Sequence, residues 1–195
     1  MSIHHQKGIG NVVGFVFSCP GRQEKIAGYP AAGTTGNNLA LFLDFFNQFQ
    51  KTKFTRKDIT ISNASTKVMY AANNNGLTEA DRSDILRVQN LNRLAKELSK
   101  IEGVIICCGG RAALAVNAIS RRLHPECKII HIQHLGMKSL NQIKYDRSGI
   151  EIIASNKLCR SYKEIRVAGN KNTHLRLEKL AFDASKDATR LGASL

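Results

Sequence analysis

Val12-Val13-Gly14-Phe15-Val16-Phe17-Ser18-Cys19-Pro20-Gly21-Arg22-Gln23-Glu24 is the stretch that decides the fold. Its first six residues form a continuous apolar run, the mark of a strand buried on both faces. The run ends in a Pro-Gly turn. A polar, glycine-bearing segment follows, Gly28-Tyr29-Pro30-Ala31-Ala32-Gly33-Thr34-Thr35-Gly36. It leads into a helix pattern from about Asn37, with Leu39, Phe42, Leu43, Phe46 and Phe49 at helical spacing. A buried strand feeding a glycine-rich loop and a helix is how open α/β sheets build a ligand crevice beyond their strand ends.

Working outward, three more short apolar runs alternate with helical patterns. Ile59-Thr60-Ile61-Ser62 ends at Asn63, Val104-Ile105-Ile106-Cys107-Cys108 ends at Gly109-Gly110-Arg111, and Lys128-Ile129-Ile130-His131-Ile132 ends just before His134. Between them, Thr78 and Asp81 read as a capping-box variant. The helix behind that cap uses Ile85, Val88, Leu91, Leu94, Ala95 and Leu98. A second helix is expected from Ala112 to about Leu123. The alternation predicts an α/β fold, a three-layer α/β/α arrangement around a central, mainly parallel four-stranded sheet. Ile150 to Ala154 reads as a further strand, and Asn172 to about Arg190 as a basic helix with Leu175, Leu177, Leu180 and Phe182 as its apolar side. The whole chain, 1–195, reads as one domain with a basic helical extension over about 156–195.

Composition narrows the partner. The 195 residues carry 29 Lys and Arg against 15 Asp and Glu, a formal net charge of +14. Such an excess, spread along the chain, calls for an anionic partner, nucleic acid first. It supplies affinity without specificity. No apolar run approaches the roughly 18 residues of a membrane span, and Met1 to Lys7 lack the apolar core of a secretion signal. A cytoplasmic monomer without a membrane partner is the expectation. The five cysteines, Cys19, Cys107, Cys108, Cys127 and Cys159, include no Cys-x-x-Cys pair. They read as reduced thiols, with no metal or other cofactor expected. His4 and His5, so near the terminus, are expected to carry no role, and His131 a structural one.

Every polar motif falls at a strand end, and together they resemble the uracil-DNA glycosylase superfamily. Residues 18–36 resemble its motif 1 in the iron–sulfur branch, although the spaced cluster cysteines of that branch are missing. Ile59 to Ser65 resembles the strand whose terminal Asn reads a pyrimidine edge. Val104 to Ala113 resembles the strand–Gly–helix of the family core. His131 to Ser139 resembles the His-Pro-Ser loop that stabilises the departing base and presses on DNA. The resemblance covers roughly residues 12–145. It implies a monofunctional glycosylase that extrudes a nucleotide from double-stranded DNA, excises its base and leaves an abasic site.

On that resemblance Asn63 reads the base, His134 stabilises charge on the leaving base, and Glu24 orients water or the sugar cation. Ser18, Cys19, Pro20, Gly21, Tyr29 and Ala31 form the base pocket. Arg22, Lys25, Thr34, Arg111, Met137, Lys138 and Ser139 hold DNA. Two departures bear on substrate and mechanism. Ser18 and Cys19 stand where the family has its water-positioning acid or Asn, and a free thiol is mostly neutral at neutral pH. Ala31 replaces the Phe that stacks on uracil, which implies a larger pyrimidine such as glucosylated hydroxymethylcytosine and a resemblance to anti-phage glycosylases. The alternatives are a uracil-DNA glycosylase of base-excision repair, a nucleotide or nucleoside hydrolase on the same fold, and a catalytically silent nucleic-acid-binding module. Against catalytic roles stand plainer ones: Cys19 as a packed small residue, Asn63 as a turn cap, and Glu24 as a partner of Arg22 or Lys25.

Overall fold

The computed structural model describes residues 2–158 and 161–188. In chain order the elements are β1 (His5–Gln6), β2 (Val13–Phe17), α1 (Arg22–Ala27), α2 (Gly33–Gln50), β3 (Thr60–Asn63), α3 (Arg82–Ile85), α4 (Val88–Leu98), β4 (Val104–Cys108), α5 (Gly110–Ile119), β5 (Lys128–Ile132), α6 (Met137–Leu140), α7 (Ser155–Leu158) and α8 (Tyr162–Asp187). The sheet order is β1-β3-β2-β4-β5. Strands β3, β2, β4 and β5 are parallel, with Phe17 beside Asn63 and Cys108 beside Ile132 at their C-terminal ends.

Side-chain alternation along the two central strands builds two cores. Phe15 and Phe17 of β2, with Ile106 and Cys108 of β4, face α2 and α8, where Phe42, Phe46, Leu177 and Ala181 meet them. Val16, Ile105 and Cys107 face the other way, onto Leu94 and Leu98 of α4 and Ala112 and Val116 of α5. Full burial of each such Leu, Ile or Phe side chain contributes roughly 1.5–3 kcal/mol. A sheet apolar on both faces therefore ends up covered on both, and the three-layer α/β/α architecture follows.

The sheet has a fifth strand that the sequence reading lacked. His5 and Gln6 pair antiparallel with Ser62 and Ile61, and the Asn63 N–H donates to the His4 carbonyl at 2.9 Å. His4 and His5 are thus part of the sheet edge, contrary to their expected lack of a role. His4 Nε2 also lies 3.6 Å from Glu97, whose other oxygen accepts the Ser62 hydroxyl.

Three helix and strand boundaries also differ. The helix expected behind Thr78 is two helices. Asn90 Nδ2 donates to the Ile85 and Ala64 carbonyls at 2.7 Å, which satisfies the end of α3 and lets the chain turn at Arg87. Asp81, not Thr78, stands at the N-cap position of α3, without a side-chain cap hydrogen bond, and Val88 is exposed. The expected strand at 150–154 amounts to one bridge, Tyr145 to Glu151. α8 begins at Tyr162, ten residues before the expected Asn172. There the Ser161 hydroxyl accepts the Glu164 N–H while Glu164 Oε2 accepts the Ser161 N–H, a capping box. Leu177, Leu180, Ala181 and Ala184 of α8 are buried against α2 and the sheet, so this helix is core on one side and basic on the other. Cys159 and the expected helix end near Arg190 lie outside the described residues. No helix among the described residues is long and apolar enough to cross a membrane.

Candidate functional site

The C-terminal ends of the parallel strands open into a cleft of about 1,200 Å³. Ser18, Cys19, Gly21, Glu24, Arg111, His134, Met137, Lys138 and Ser139 line it together with Phe17. All but Phe17 were singled out from the sequence, and they come from three separate segments. Asn63 is not among the residues that line the cleft; it is the register partner of Phe17, which does. The Asn63 side chain is buried, and its Nδ2 has no hydrogen-bond partner among the described residues. Buried donors without partners are rare in folded proteins, and His5 Nε2 at the sheet edge is another. Asn63 is no turn cap in this arrangement.

His134 is the best-defined group. The Gly136 N–H donates to its Nδ1 at 2.9 Å, and its ring meets the Phe17 ring edge-on, centroids 5.8 Å apart. Burial pulls its pKa below the ordinary imidazole value, with Glu79 opposing the shift. An imidazole that accepts at Nδ1 and stays neutral carries its proton on Nε2. The residue therefore offers one fixed N–H donor. Two glycines permit this. Gly109 has φ +94°, and a Cβ there would lie 3.3 Å from His134 Cβ. At Gly136 a Cβ would lie 2.9 Å from His134 Nδ1. Behind the loop, Asn38 Nδ2 donates to the Leu135 carbonyl at 2.7 Å.

Gly136 itself has ordinary extended angles, φ −73° and ψ 149°, so alanine there meets no backbone strain. Gly136→Ala is expected to push the imidazole aside and lower any turnover at this site by on the order of 10²-fold. The thermal midpoint should stay near that of the parent. Unchanged turnover in a steady-state assay would remove His134 from the chemistry.

Glu24 does not pair with Arg22 or Lys25. Its Oε2 accepts the Gly21 N–H at 3.0 Å, closing the first turn of α1. Burial pushes the Cys19 thiol up, and its Sγ points at the Thr78 carbonyl, 3.6 Å away. Cys107 and Cys108 are buried core thiols, the former pushed up to about 12. Among the described residues no group of His, Cys, Asp or Glu side chains could hold a metal ion.

The remaining candidates lie off the cleft wall. Ala31 is buried in the α2-side core with φ +47°. Arg56 fixes its segment by donating to the Ala31 and Pro30 carbonyls, with the guanidinium over the Tyr29 ring at 5.3 Å. Pro20 is buried, Arg22 and Lys25 are exposed on α1, and Thr34 faces a second cleft. Among the wall residues that the sequence reading passed over are Leu77 and Glu79, from the loop after β3. Glu79 reaches across to Arg111, Oε2 to Nε 3.5 Å. No periodicity marks that loop, so nothing in the sequence could have placed it over α5.

Protonation should unsettle the fold in one direction. His4, His5 and His134 all have pKa values lowered by burial. Unfolded, each titrates near 6.5, so below that pH the unfolded chain binds more protons. The stability these residues contribute is complete above about pH 6.5 and is lost as pH falls through the folded-state values. The thermal midpoint is expected to drop between about pH 7.5 and about pH 5.5. A flat or rising midpoint over that window would contradict the burial of these imidazoles.

Compared with known proteins, the chain matches no protein-family model, and no curated protein matches it.

Proposed function

We propose that this protein is a DNA glycosylase acting on an extruded pyrimidine. The reading rests on one observation above the others: a neutral imidazole, His134, holds a fixed Nε2–H donor on a cleft wall at the ends of four parallel strands. Cleavage of an N-glycosidic bond sends an electron pair onto the base. A preorganised donor that needs no reorganisation stabilises that charge as it forms. A neutral donor suits this better than an imidazolium, which would also bind anions in the ground state.

The other parts support the same chemistry. Asn63 has an amide donor and a carbonyl acceptor for a pyrimidine edge, and its Nδ2 is without a partner among the described residues. Phe17, beside it, gives the cleft an apolar wall. Lys138, Ser139 and Arg111 on the cleft wall suit phosphates, and the net charge of +14 suits DNA. Met137, 38 % exposed at the start of α6, would be the side chain to wedge into the stack vacated by the base. Water or the sugar cation falls to a carboxylate, with Glu24 and Glu79 both on the wall. A cleft of about 1,200 Å³ has room for a bulky modified pyrimidine, but Ala31 lies in the core off its wall and lends that substrate no support.

A second reading, a silent nucleic-acid-binding module, draws on a specific feature. Cys19 holds a neutral thiol where a water-activating group is wanted, and one oxygen of Glu24 is engaged by Gly21. The deciding experiment incubates the protein with DNA containing uracil, hydroxymethylcytosine or glucosylated hydroxymethylcytosine and then treats it with alkali. Strand breaks at the modified base are expected. Breaks at uracil alone would keep the glycosylase and discard the bulky substrate. Tight binding without breaks on any of the three would establish the silent module.

A further inference from the structure

A second cleft, of about 1,010 Å³, lies on the far side of α6 and shares Met137 with the first. Its walls come from the start of α2, the segment 151–157 and the first half of α8. Arg176 lies at its base and is only 6 % exposed. Its Nε donates to the Ile143 carbonyl at 3.2 Å and its Nη1 to Asn141 Oδ1 at 2.8 Å. No carboxylate lies within ion-pair distance of it among the described residues. A buried guanidinium with carbonyl and amide partners but no counter-charge is an unusual arrangement in a folded protein.

The cleft around it deepens the imbalance. Lys144, Lys157 and Arg166 line it as exposed cations, and Glu151 is the sole carboxylate on its wall among the described residues. With Arg176 that makes four positive charges against one negative. Asn37, Asn170 and other amides supply hydrogen-bonding groups between them. Planar guanidinium groups pair with phosphate oxygens through two N–H bonds at once, and lysines add point charge. Amides suit the sugar and the ester oxygens of a backbone. Leu41, Ile152 and Met137 add an apolar stretch to the wall, against which a sugar or base could lie.

We propose that this second cleft binds the phosphodiester backbone of a nucleic-acid strand, one of whose neighbouring nucleotides enters the first cleft across Met137. The path across Met137 rests on the glycosylase reading; the phosphodiester site does not. The strand would thus be held on both sides of the single turn of α6. That turn carries Met137, Lys138 and Ser139, and the nearby Leu135 carbonyl is tied to α2 through Asn38.

The test is fluorescence anisotropy with a fluorescein-labelled single-stranded oligonucleotide, titrated at several salt concentrations. Two variants are compared with the parent: K144A/R166A, which changes exposed residues only, and Arg176→Met, which removes the buried charge and keeps the bulk. Each is first checked by thermal melting. K144A/R166A is expected to bind about 5- to 20-fold more weakly at low salt, and its log K against log salt slope to shrink by roughly 1–2, at about 0.7 for each single-strand phosphate no longer neutralised. Arg176→Met should weaken binding in the same sense. If it does not fold, K144A/R166A decides alone. Unchanged affinity and slope in K144A/R166A would overturn the proposal. So would displacement of the oligonucleotide by inorganic phosphate at a matching phosphate concentration, since the cleft would then be a small-anion site. Abasic-site formation by the parent protein, measured in parallel, reports on the first cleft alone. Absent excision with a reduced slope in K144A/R166A would overturn the glycosylase reading and retain the phosphodiester site.

Discussion

If the protein is the proposed glycosylase, His134→Ala is expected to lower base excision by about 10²- to 10³-fold, the cost of losing one preorganised donor to a developing anion. DNA affinity, with its salt dependence, should remain, because the imidazole is neutral and neutralises no phosphate. The loss should fall on kcat more than on KM, as it does when an interaction is made only in the transition state. His134→Gln tests geometry against chemistry: its amide N–H can donate, yet no Nδ1 remains for the Gly136 N–H to hold. Partial rescue by Gln would place the effect in the donor. Full activity in His134→Ala would remove this group from the reaction, and loss of DNA binding would give it a structural role.

The second large effect concerns stability. Phe42 of α2 is fully buried against β2, its ring edge-on to Phe15 at 5.8 Å and stacked near Phe46 at 6.0 Å. Phe42→Ala removes a whole ring from a core that cannot collapse around it. The expected cost is about 3–5 kcal/mol. At roughly 2–4 °C per kcal/mol for a chain of this size, the thermal midpoint should fall by roughly 6–20 °C. A shift of about 2 °C or less would mean that α2 does not pack against the sheet as described. Because α2 also carries Asn38, which holds the Leu135 carbonyl, any turnover at the first cleft should decline ahead of unfolding as the variant is warmed.

The strands that carry the site were legible because each is a short apolar run with little polar interruption, and their ends were marked by Pro20-Gly21, Asn63, Gly109 and His134. In a parallel sheet those ends must meet at one edge, so the cleft could be anticipated from the order of the runs. The fifth strand was not legible. Two residues, His5 and Gln6, carry no periodicity, and only the exposed edge of β3 gives them a reason to pair. Ala31 shows a different limit. Its place in a motif suggested a pocket wall, but Arg56, twenty-five residues away, grips its carbonyl and turns the segment into the core. Glu79 and Leu77 reach the cleft through a loop whose course depends on packing after β3, which no local pattern encodes. The depth of α8 was hidden for a related reason: Arg176 sits on its buried side and breaks the apolar stripe that would have announced it.

The short strand at the chain's beginning has a bearing on how these molecules treat one another. β3 would otherwise be the rim of the sheet, with Thr60, Ile61 and Ser62 offering unpaired backbone groups to any neighbour. His5 and Gln6 fill those positions, and the carbonyl of His4 occupies the N–H of Asn63. Trimming away these few residues would turn a closed rim into an adhesive one, ready to dock strand-to-strand with a second molecule. It would also release the backbone N–H of Asn63. The rim of β3 and the backbone at its end are therefore guarded by the same short segment.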